Sequence, residues 1–282
     1  MKKTLLYTGL VTAMLTGCTT TTDSQIRDTR LRSDQIYTRS TASTEDVEAE
    51  IQFGRELSAR ILARYKLSDD QRLQKYLNIV GKTLGKNSGR PELTYYFAAI
   101  ESDDINAYAA PGGYVFVTTG AIAQMNDEAE LAGVLAHEIA HITEKHIVKA
   151  IGIKGSDSSA ISGFSKLLGA SNDPTRIAFS QAIDKALDYL FENGLQAEDE
   201  YQSDATGTLI ATQTGYDPDA LRRYLSRIKS QRKQLDVVNK THPPFNKRLF
   251  ELNQLLTIEG LTPEPDLRFN ERFKTTMNKV RG

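Results

Sequence analysis

The segment that decides the fold is NDEAELAGVLAHEIAHITEKHIVKA, residues 126–150. It opens on Asn126 and two acidic residues, which favours a helix N-terminus because side-chain oxygens cap the first amides and carboxylates complement the helix dipole. His137 and His141 are four residues apart, so a helix places both imidazoles on one face, a single turn apart. Paired imidazoles of this kind are typical zinc ligands. The segment therefore predicts a long helix that carries two ligands of a zinc ion.

Glu138 directly follows the first of these histidines. One residue turns a helix by about 100°, which lets the carboxylate reach a water molecule at the metal but places it poorly as a third ligand. This geometry suits a general base. The alternative interpretation is a helical face of glutamate and histidine that binds no metal.

A catalytic zinc site needs a third protein ligand and one open position. One class of site uses a histidine ten residues after the first, but Ile147 stands there and His146 is one residue out of that register. We therefore interpret His146 as a packing residue or as a partner of a ligand. Glu200 is a carboxylate candidate, because a predicted helix places Asp204 one turn later on the same face, where it can accept a hydrogen bond from a ligand imidazole. Taken alone, a solvated acidic face over residues 198–200 is the competing interpretation.

Helical and extended patterns alternate along the chain. Apolar residues at three- and four-residue spacing predict helices at 45–65 and 69–84. Aromatic and β-branched residues predict strands at 93–100 and 114–118. Further helices are predicted at 174–192, 195–214, 217–232 and from the break at 242–244 to 256, with a loop rich in glycine and serine at 152–173. This order predicts an α+β fold, mainly helical, with a small β-sheet flanking the histidine helix.

The strand predicted at 114–118 is a candidate for substrate binding. As an exposed edge strand along the cleft, it would pair with the backbone of an extended peptide. Substrate contacts would then come from Asn106, Tyr114, Val115 and Phe116. Such binding requires an unfolded or mobile segment of the substrate. The competing interpretation is an ordinary pair of sheet strands.

The N-terminus has the layout of an export signal. A basic start precedes an apolar stretch at residues 5–15, which is shorter than a membrane-spanning helix. Leu15-Thr16-Gly17-Cys18 resembles the lipobox of bacterial lipoproteins, and this resemblance implies cleavage before Cys18 and a lipid on its sulfur. An ordinary signal with an incidental cysteine is the alternative. Thr19, rather than aspartate, follows the cysteine, and by resemblance to enterobacterial lipoproteins this implies the outer membrane.

The sequence predicts that the chain has four parts. They are a lipoprotein signal peptide at 1–17, a flexible tether at 18–44, a metallopeptidase domain at 45–262 and a C-terminal tail at 263–282. The tether is assigned because large apolar residues are scarce there. Lysine plus arginine number 35 against 36 aspartate plus glutamate, and this balance does not suggest nucleic acid as a partner.

Four motifs stand in an order that is shared by one protein family. They are Asn106 to Gly113, the HExxH pattern at 137–141, the ExxxD pattern at 200–204, and His242-Pro243-Pro244 with Arg248 six residues after His242. In these motifs the chain resembles the zinc endopeptidases typified by HtpX, BepA and LoiP, which are distant relatives of the CAAX prenyl proteases. It departs from them at Ser203, where alanine usually stands. It also lacks the membrane helices of the HtpX branch and the helical-repeat tail of the BepA branch.

The resemblance implies a zincin-like metalloprotease domain with one zinc ion per chain. The implied site comprises the ligands His137, His141 and Glu200, the base Glu138, and Asp204 behind the ligands. The implied activity is cleavage of unfolded or misassembled envelope proteins, in protein quality control, by a lipid-anchored enzyme at the periplasmic face of the membrane. The alternative is a periplasmic chaperone or assembly lipoprotein that uses the same fold for binding. The intact base argues against that alternative, since binding alone does not need it.

His242 and Arg248 are candidates to stabilise the oxyanion. This role requires that the proline-stiffened turn at 242–244 folds back over the site. His242 has two other interpretations, a latch that closes the open position of the metal and an ordinary surface histidine.

Overall fold

The computed structural model describes residues 44–153, 173–229 and 244–281. The first part contains the helices α1 (Thr44–Arg64) and α2 (Gln71–Gly85), the strands β1 (Tyr96–Ile100), β2 (Ala107–Ala110) and β3 (Tyr114–Thr118), and the short helix α3 (Thr119–Ala123). The histidine helix is α4 (Glu128–Thr143), and the short α5 (His146–Ala150) follows it. Then come α6 (Asp173–Asp188), a π-helical turn (Tyr189–Asn193), α7 (Ala197–Gln213), α8 (Ala220–Ile228), α9 (Phe245–Ile258), a 3-10 turn (Pro265–Arg268) and α10 (Asn270–Arg281). The predicted α+β fold class, mainly helical with one small sheet, is confirmed.

Helix α4 lies at the centre of the domain, and all of its residues are buried. It begins after the N-cap Asp127, whose side chain accepts a hydrogen bond from the Glu130 amide at 2.9 Å. A helix buried all round needs neighbours on several sides, and α2, α7 and α8 supply them. No helix in the described ranges combines the length and the apolar character needed to cross a bilayer.

Ion pairs hold the later helices on the N-terminal end of α4. Arg223 on α8 lies 2.9 Å from Asp127 and 2.8 Å from Glu130. Arg272 on α10 pairs with Glu128. Helix α10 lies inside the range predicted as a C-terminal tail, and two of its apolar side chains join the core. These contacts fix the end of the helix that carries the histidines.

The prediction of one continuous helix over residues 126–150 is wrong at its C-terminal end. Helix α4 ends at Thr143, and Lys145 adopts a left-handed backbone conformation (φ 59°, ψ 37°) before α5 begins at His146. A left-handed residue cannot continue a right-handed helix. The chain therefore changes direction between the HExxH segment and His146.

The sheet has the strand order β1-β3-β2, with β1 parallel and β2 antiparallel to β3. The prediction that residues 114–118 form an edge strand is therefore wrong. Both sides of β3 are already paired within the sheet, which leaves no backbone groups for a substrate. The edge position belongs to β2, whose sequence AYAA contains no β-branched residue and was not predicted as a strand.

The outer edge of β1 is capped by side-chain amides from α2. Gln74 exchanges two hydrogen bonds of 2.9 Å with the backbone of Ala99. Asn78 donates to the Phe97 carbonyl at 2.6 Å and accepts from the Phe97 amide at 3.3 Å. These amides occupy the groups that another strand would use. Of the two sheet edges, β1 is closed in this way.

Strand β2 forms the other edge of the sheet and lies beside α4. The Thr118 amide donates to the Asn106 carbonyl at 3.1 Å. Asn106 and Thr118 are therefore a hydrogen-bonded pair of the antiparallel ladder. Because paired and outward-facing residues alternate in such a ladder, Ala107 and Ala109 turn their amide groups away from β3. The Asn106 side chain accepts from the Ala107 amide at 2.9 Å. No other strand among the described residues pairs with this edge.

Candidate metal centre

Three donor groups converge on one point between α4 and α7. His137 Nε2 lies 3.0 Å from His141 Nε2 and 3.6 Å from Glu200 Oε2, and His141 Nε2 lies 3.3 Å from Glu200 Oε1. A tetrahedral zinc ion with ligand distances of about 2.0–2.1 Å holds its donor atoms roughly 3.3 Å apart. The three separations, 3.0, 3.3 and 3.6 Å, bracket that value. These buried side chains form a group that can hold a metal ion.

The close approach of α7 to α4 depends on Gly207. A Cβ atom at this position would lie 2.7 Å from the backbone nitrogen of His137, which is closer than real Cβ contacts. Glycine therefore allows the two helix backbones to touch. Glu200 lies about two turns earlier on α7, and the contact brings its carboxylate opposite the two histidines.

The ligand candidate His137 is held from behind by a carboxylate. Its Nδ1 lies 2.9 Å from Asp204 Oδ1, and Arg248 on α9 donates to both Asp204 oxygens at 2.8 and 2.6 Å. Arg248 Nη1 also lies 3.4 Å from Glu200 Oε2. A partner at Nδ1 sets the tautomer that leaves Nε2 for a metal. The structure thus places Arg248 on two site carboxylates, and its action on an oxyanion stays a prediction.

The charges around this point favour a cation. Burial alone would lower the pKa of His137, but its hydrogen bonds to Asp204 and Glu200 raise that pKa to about 9. Burial alone would raise the pKa of Asp204, yet the guanidinium of Arg248 and the imidazole of His137 bring it below its usual range. Three buried acidic side chains, those of Glu138, Glu200 and Asp204, lie around this point together with one guanidinium, that of Arg248. A divalent ion such as zinc fits this balance.

His146 lies on the other side of His141, with the two Nδ1 atoms 3.0 Å apart. It has no exposed surface and lies outside the group of converging donors. Burial and the neighbouring His141 lower the pKa of His146. His146 therefore contacts a ligand candidate and is not itself one of the three converging donors.

Glu138 is buried and borders two hollows, one on each side of the metal centre. The first, which we call the α8 pocket, is bounded by His137, Arg248 and apolar side chains of α8 and α9. The second, which we call the π-turn pocket, is bounded by His141, Glu200 and the π-helical turn. Asn106 and Ala107 line both pockets. The outer edge of β2 thus runs past both pockets.

Among the predicted substrate-binding residues, Asn106 lies at these pockets. Tyr114, Val115 and Phe116 lie instead on the central strand β3, so the predicted backbone pairing through them is wrong. The reason is that β2 returns along β3 and covers the side that would have faced the cleft. His242, Cys18 and most of the predicted loop, residues 154–172, lie outside the described residues.

Two features of the site are only weakly signalled in the sequence. The first is the β2 edge at Ala107 and Ala109, for which only the neighbouring motif at Asn106 gave a signal. The second is the π-helical turn Tyr189–Asn193, which was included in an ordinary predicted helix. A π-helical turn often marks a functional site, and the break at Asn193-Gly194 was the available hint of it.

The sequence that builds this site is similar to known proteins. The family model described as Peptidase family M48 matches residues 71–256. The beta-barrel assembly-enhancing protease of Escherichia coli (strain K12) is 26% identical over 231 residues, which are 74% of this chain and 44% of that protein. The mitochondrial metalloendopeptidase OMA1 of Schizosaccharomyces pombe is 28% identical over 184 residues, which are 64% of this chain and 52% of that protein.

The metalloprotease YcaL of Escherichia coli (strain K12) is 25% identical over 200 residues, which are 70% of this chain and 77% of that protein. The chain spans less than half the length of the assembly-enhancing proteases that it matches. The M48 match covers more than half of the chain and includes His137, His141 and Glu200. The chain therefore belongs to peptidase family M48.

Proposed function

We propose that this chain is a zinc-dependent endopeptidase. The observation that carries the proposal is the convergence of His137, His141 and Glu200 beside the buried carboxylate of Glu138. Three protein donors leave a position open, as catalytic zinc sites require, whereas structural zinc sites are usually closed by four. The names of the relatives, which include a protease and a metalloendopeptidase, support the same reaction.

The side chains of the site have separate tasks in hydrolysis. Zinc in such a site supplies Lewis acidity, which polarises a carbonyl group and acidifies a water molecule. Glu138 accepts the proton of the attacking water on its carboxylate and returns it to the nitrogen of the leaving amine. Asp204, held by Arg248, keeps the His137 ring in its binding orientation.

The substrate is proposed to lie as an extended chain along β2. The backbone groups of Ala107 and Ala109 at that edge pair with it, and Asn106 releases the Ala107 amide when the substrate binds. The α8 pocket has an apolar wall formed by Leu221, Leu225, Ile228 and Phe245. A large apolar side chain next to the cleaved bond fits this wall, and its burial contributes about 1.5–3 kcal/mol. Folded proteins do not present such a segment, so unfolded chains are the substrate class.

The test of this proposal uses the purified chain, an unfolded protein such as casein, and control of the metal. One equivalent of zinc should give cleavage, a strong chelator should stop it, and added zinc should restore it. Mass spectrometry of the products should find large apolar residues beside the cleaved bonds. Cleavage that survives removal of the metal, or a zinc-loaded chain that never cleaves, would refute the proposal.

The proposed setting is the bacterial envelope, with the chain anchored by a lipid on Cys18 at the periplasmic face of the outer membrane. The motif at residues 15–18 supports the anchor. The name of two relatives, beta-barrel assembly-enhancing protease, supports a role in the quality control of unfolded or misassembled outer-membrane proteins. It also favours a second candidate function, in which a lipoprotein of this fold assists assembly mainly by binding.

The anchor is tested by Cys18→Ser. The substituted chain should lose membrane association and label from radioactive palmitate, because serine offers no thiol to the lipid-transferring enzyme. Its protease activity should equal that of the wild type, because Cys18 is not among the residues proposed to bind zinc or substrate. A wild-type chain that takes up no label would disprove the lipid anchor.

A further inference from the structure

The two ring nitrogens of His141 face different partners. Its Nε2 points to the metal position, 3.0 Å from His137 Nε2 and 3.3 Å from Glu200 Oε1. Its Nδ1 lies 3.0 Å from Nδ1 of His146. Two ring nitrogens at this distance need one hydrogen between them, because one must donate and the other accept. If Nε2 binds the metal, neutral His141 carries its hydrogen on Nδ1 and is the donor.

The assignment continues along a chain of hydrogen bonds. Because His141 donates, His146 must accept at Nδ1. A ring that accepts at Nδ1 carries its own hydrogen on Nε2, which lies 3.1 Å from Gln202 Oε1. This amide oxygen can only accept. The amide nitrogen of Gln202 then donates to Glu144 Oε2 at 2.7 Å. Every donor meets an acceptor in one direction, from His141 through His146 and Gln202 to a buried carboxylate.

The contact between His141 and His146 exists because the helix breaks. In a continuous helix a residue five positions later lies about 140° round the axis, so His146 would face away from His141. The left-handed conformation of Lys145 turns the chain and returns the His146 ring to the ligand. Ser203, where the family usually has alanine, lies 3.2 Å from the same His146 Nδ1, and Asp199 lies 3.6 Å from Nε2.

We infer that His146 is a positioning residue, which holds the His141 ring in the tautomer and orientation that direct Nε2 at the metal. The inference rests on the proposed zinc site. The two ligand histidines then have different partners, because a carboxylate holds His137 whereas a neutral imidazole holds His141. The acceptor at His146 orients the second ligand without placing a further negative charge beside it.

The test compares two substitutions of similar size. His146→Asn keeps an acceptor oxygen near the place of Nδ1, whereas His146→Leu removes it. Loss of such a partner lowers metal affinity by about 10–100-fold. We expect that loss for the leucine variant and an affinity close to wild type for the asparagine variant. Zinc affinity is measured by competition with a chromophoric chelator, and the absorption spectrum of the cobalt-substituted chain reports the ligand geometry.

Three further measurements make the result decisive. Ser203→Ala is the matched control, because it removes a neighbour of His146 but leaves the acceptor, and it should keep wild-type affinity. Thermal unfolding of the metal-free variants separates positioning from packing, since a packing role predicts that zinc affinity follows the unfolding temperature, with leucine no worse than asparagine. If His146→Leu does not fold, Gln202→Met breaks the next link and should lower zinc affinity in the same direction by a smaller factor.

Wild-type affinity in His146→Leu would overturn the inference. So would equal losses of affinity in the leucine and asparagine variants, or, where leucine does not fold, wild-type affinity in Gln202→Met. The affinity readout does not depend on proteolysis. A chain that binds zinc but cleaves nothing would therefore refute the proposed function and leave this result standing.

Discussion

Glu138→Gln is expected to lower kcat for an unfolded protein by about 10²–10⁴-fold, the usual contribution of a general acid–base group. Glutamine has almost the same shape as glutamate, but its amide cannot take the proton of the attacking water. The zinc content should stay at about one per chain, because Glu138 is outside the group of three converging donors. The measurements are steady-state cleavage of a quenched peptide and metal analysis of the same sample.

Two outcomes would contradict this prediction in different ways. A variant that keeps most of its activity would show that another group is the base. A wild type that binds unfolded protein with zinc in place, but cleaves it no faster than the variant, would favour the binding function over the peptidase. The activity and the metal content must be read together, since loss of zinc also abolishes cleavage.

The part of the site that is local in sequence could be predicted from the sequence. His137 and His141 are related by one helical turn, so the helix period alone places them together. Glu200 is different, because many residues separate it from His141 and nothing in the spacing relates the two. Its assignment depended on resemblance to a family. The structure supplies the physical reason, which is the close helix contact at Gly207.

The parts that were not predicted depend on tertiary context. Strand β2 has the sequence AYAA, and alanine has a low strand propensity, so its pairing with β3 decides its conformation. Without β2, the sequence predicts β3 at the edge of the sheet. The helix break at Lys145 has no sequence signal either, since glycine or asparagine would be expected at a left-handed position. The orientation of His146 could therefore not be foreseen.

The assignment of the third ligand gives the other large expected effect. Glu200→Ala should reduce zinc affinity by more than the roughly 10–100-fold that loss of an outer partner costs, and activity should fall with it. Glu198→Ala is the matched control, because Glu198 lies on the same helix, carries the same charge and is exposed. It should keep full zinc and full activity. The reverse result, with Glu198 essential and Glu200 dispensable, would show that the ligand is wrongly assigned.

A loss of zinc in Glu200→Ala has to be distinguished from a loss of folding. Arg248 lies 3.4 Å from Glu200, so the substitution also takes one anion from a buried guanidinium. Arg248 keeps two hydrogen bonds to Asp204, and the metal-free variant should therefore still fold. Thermal unfolding of the metal-free chains tests this directly. If Glu200 is a ligand, zinc should raise the unfolding temperature of the wild type and of Glu198→Ala, but not that of Glu200→Ala.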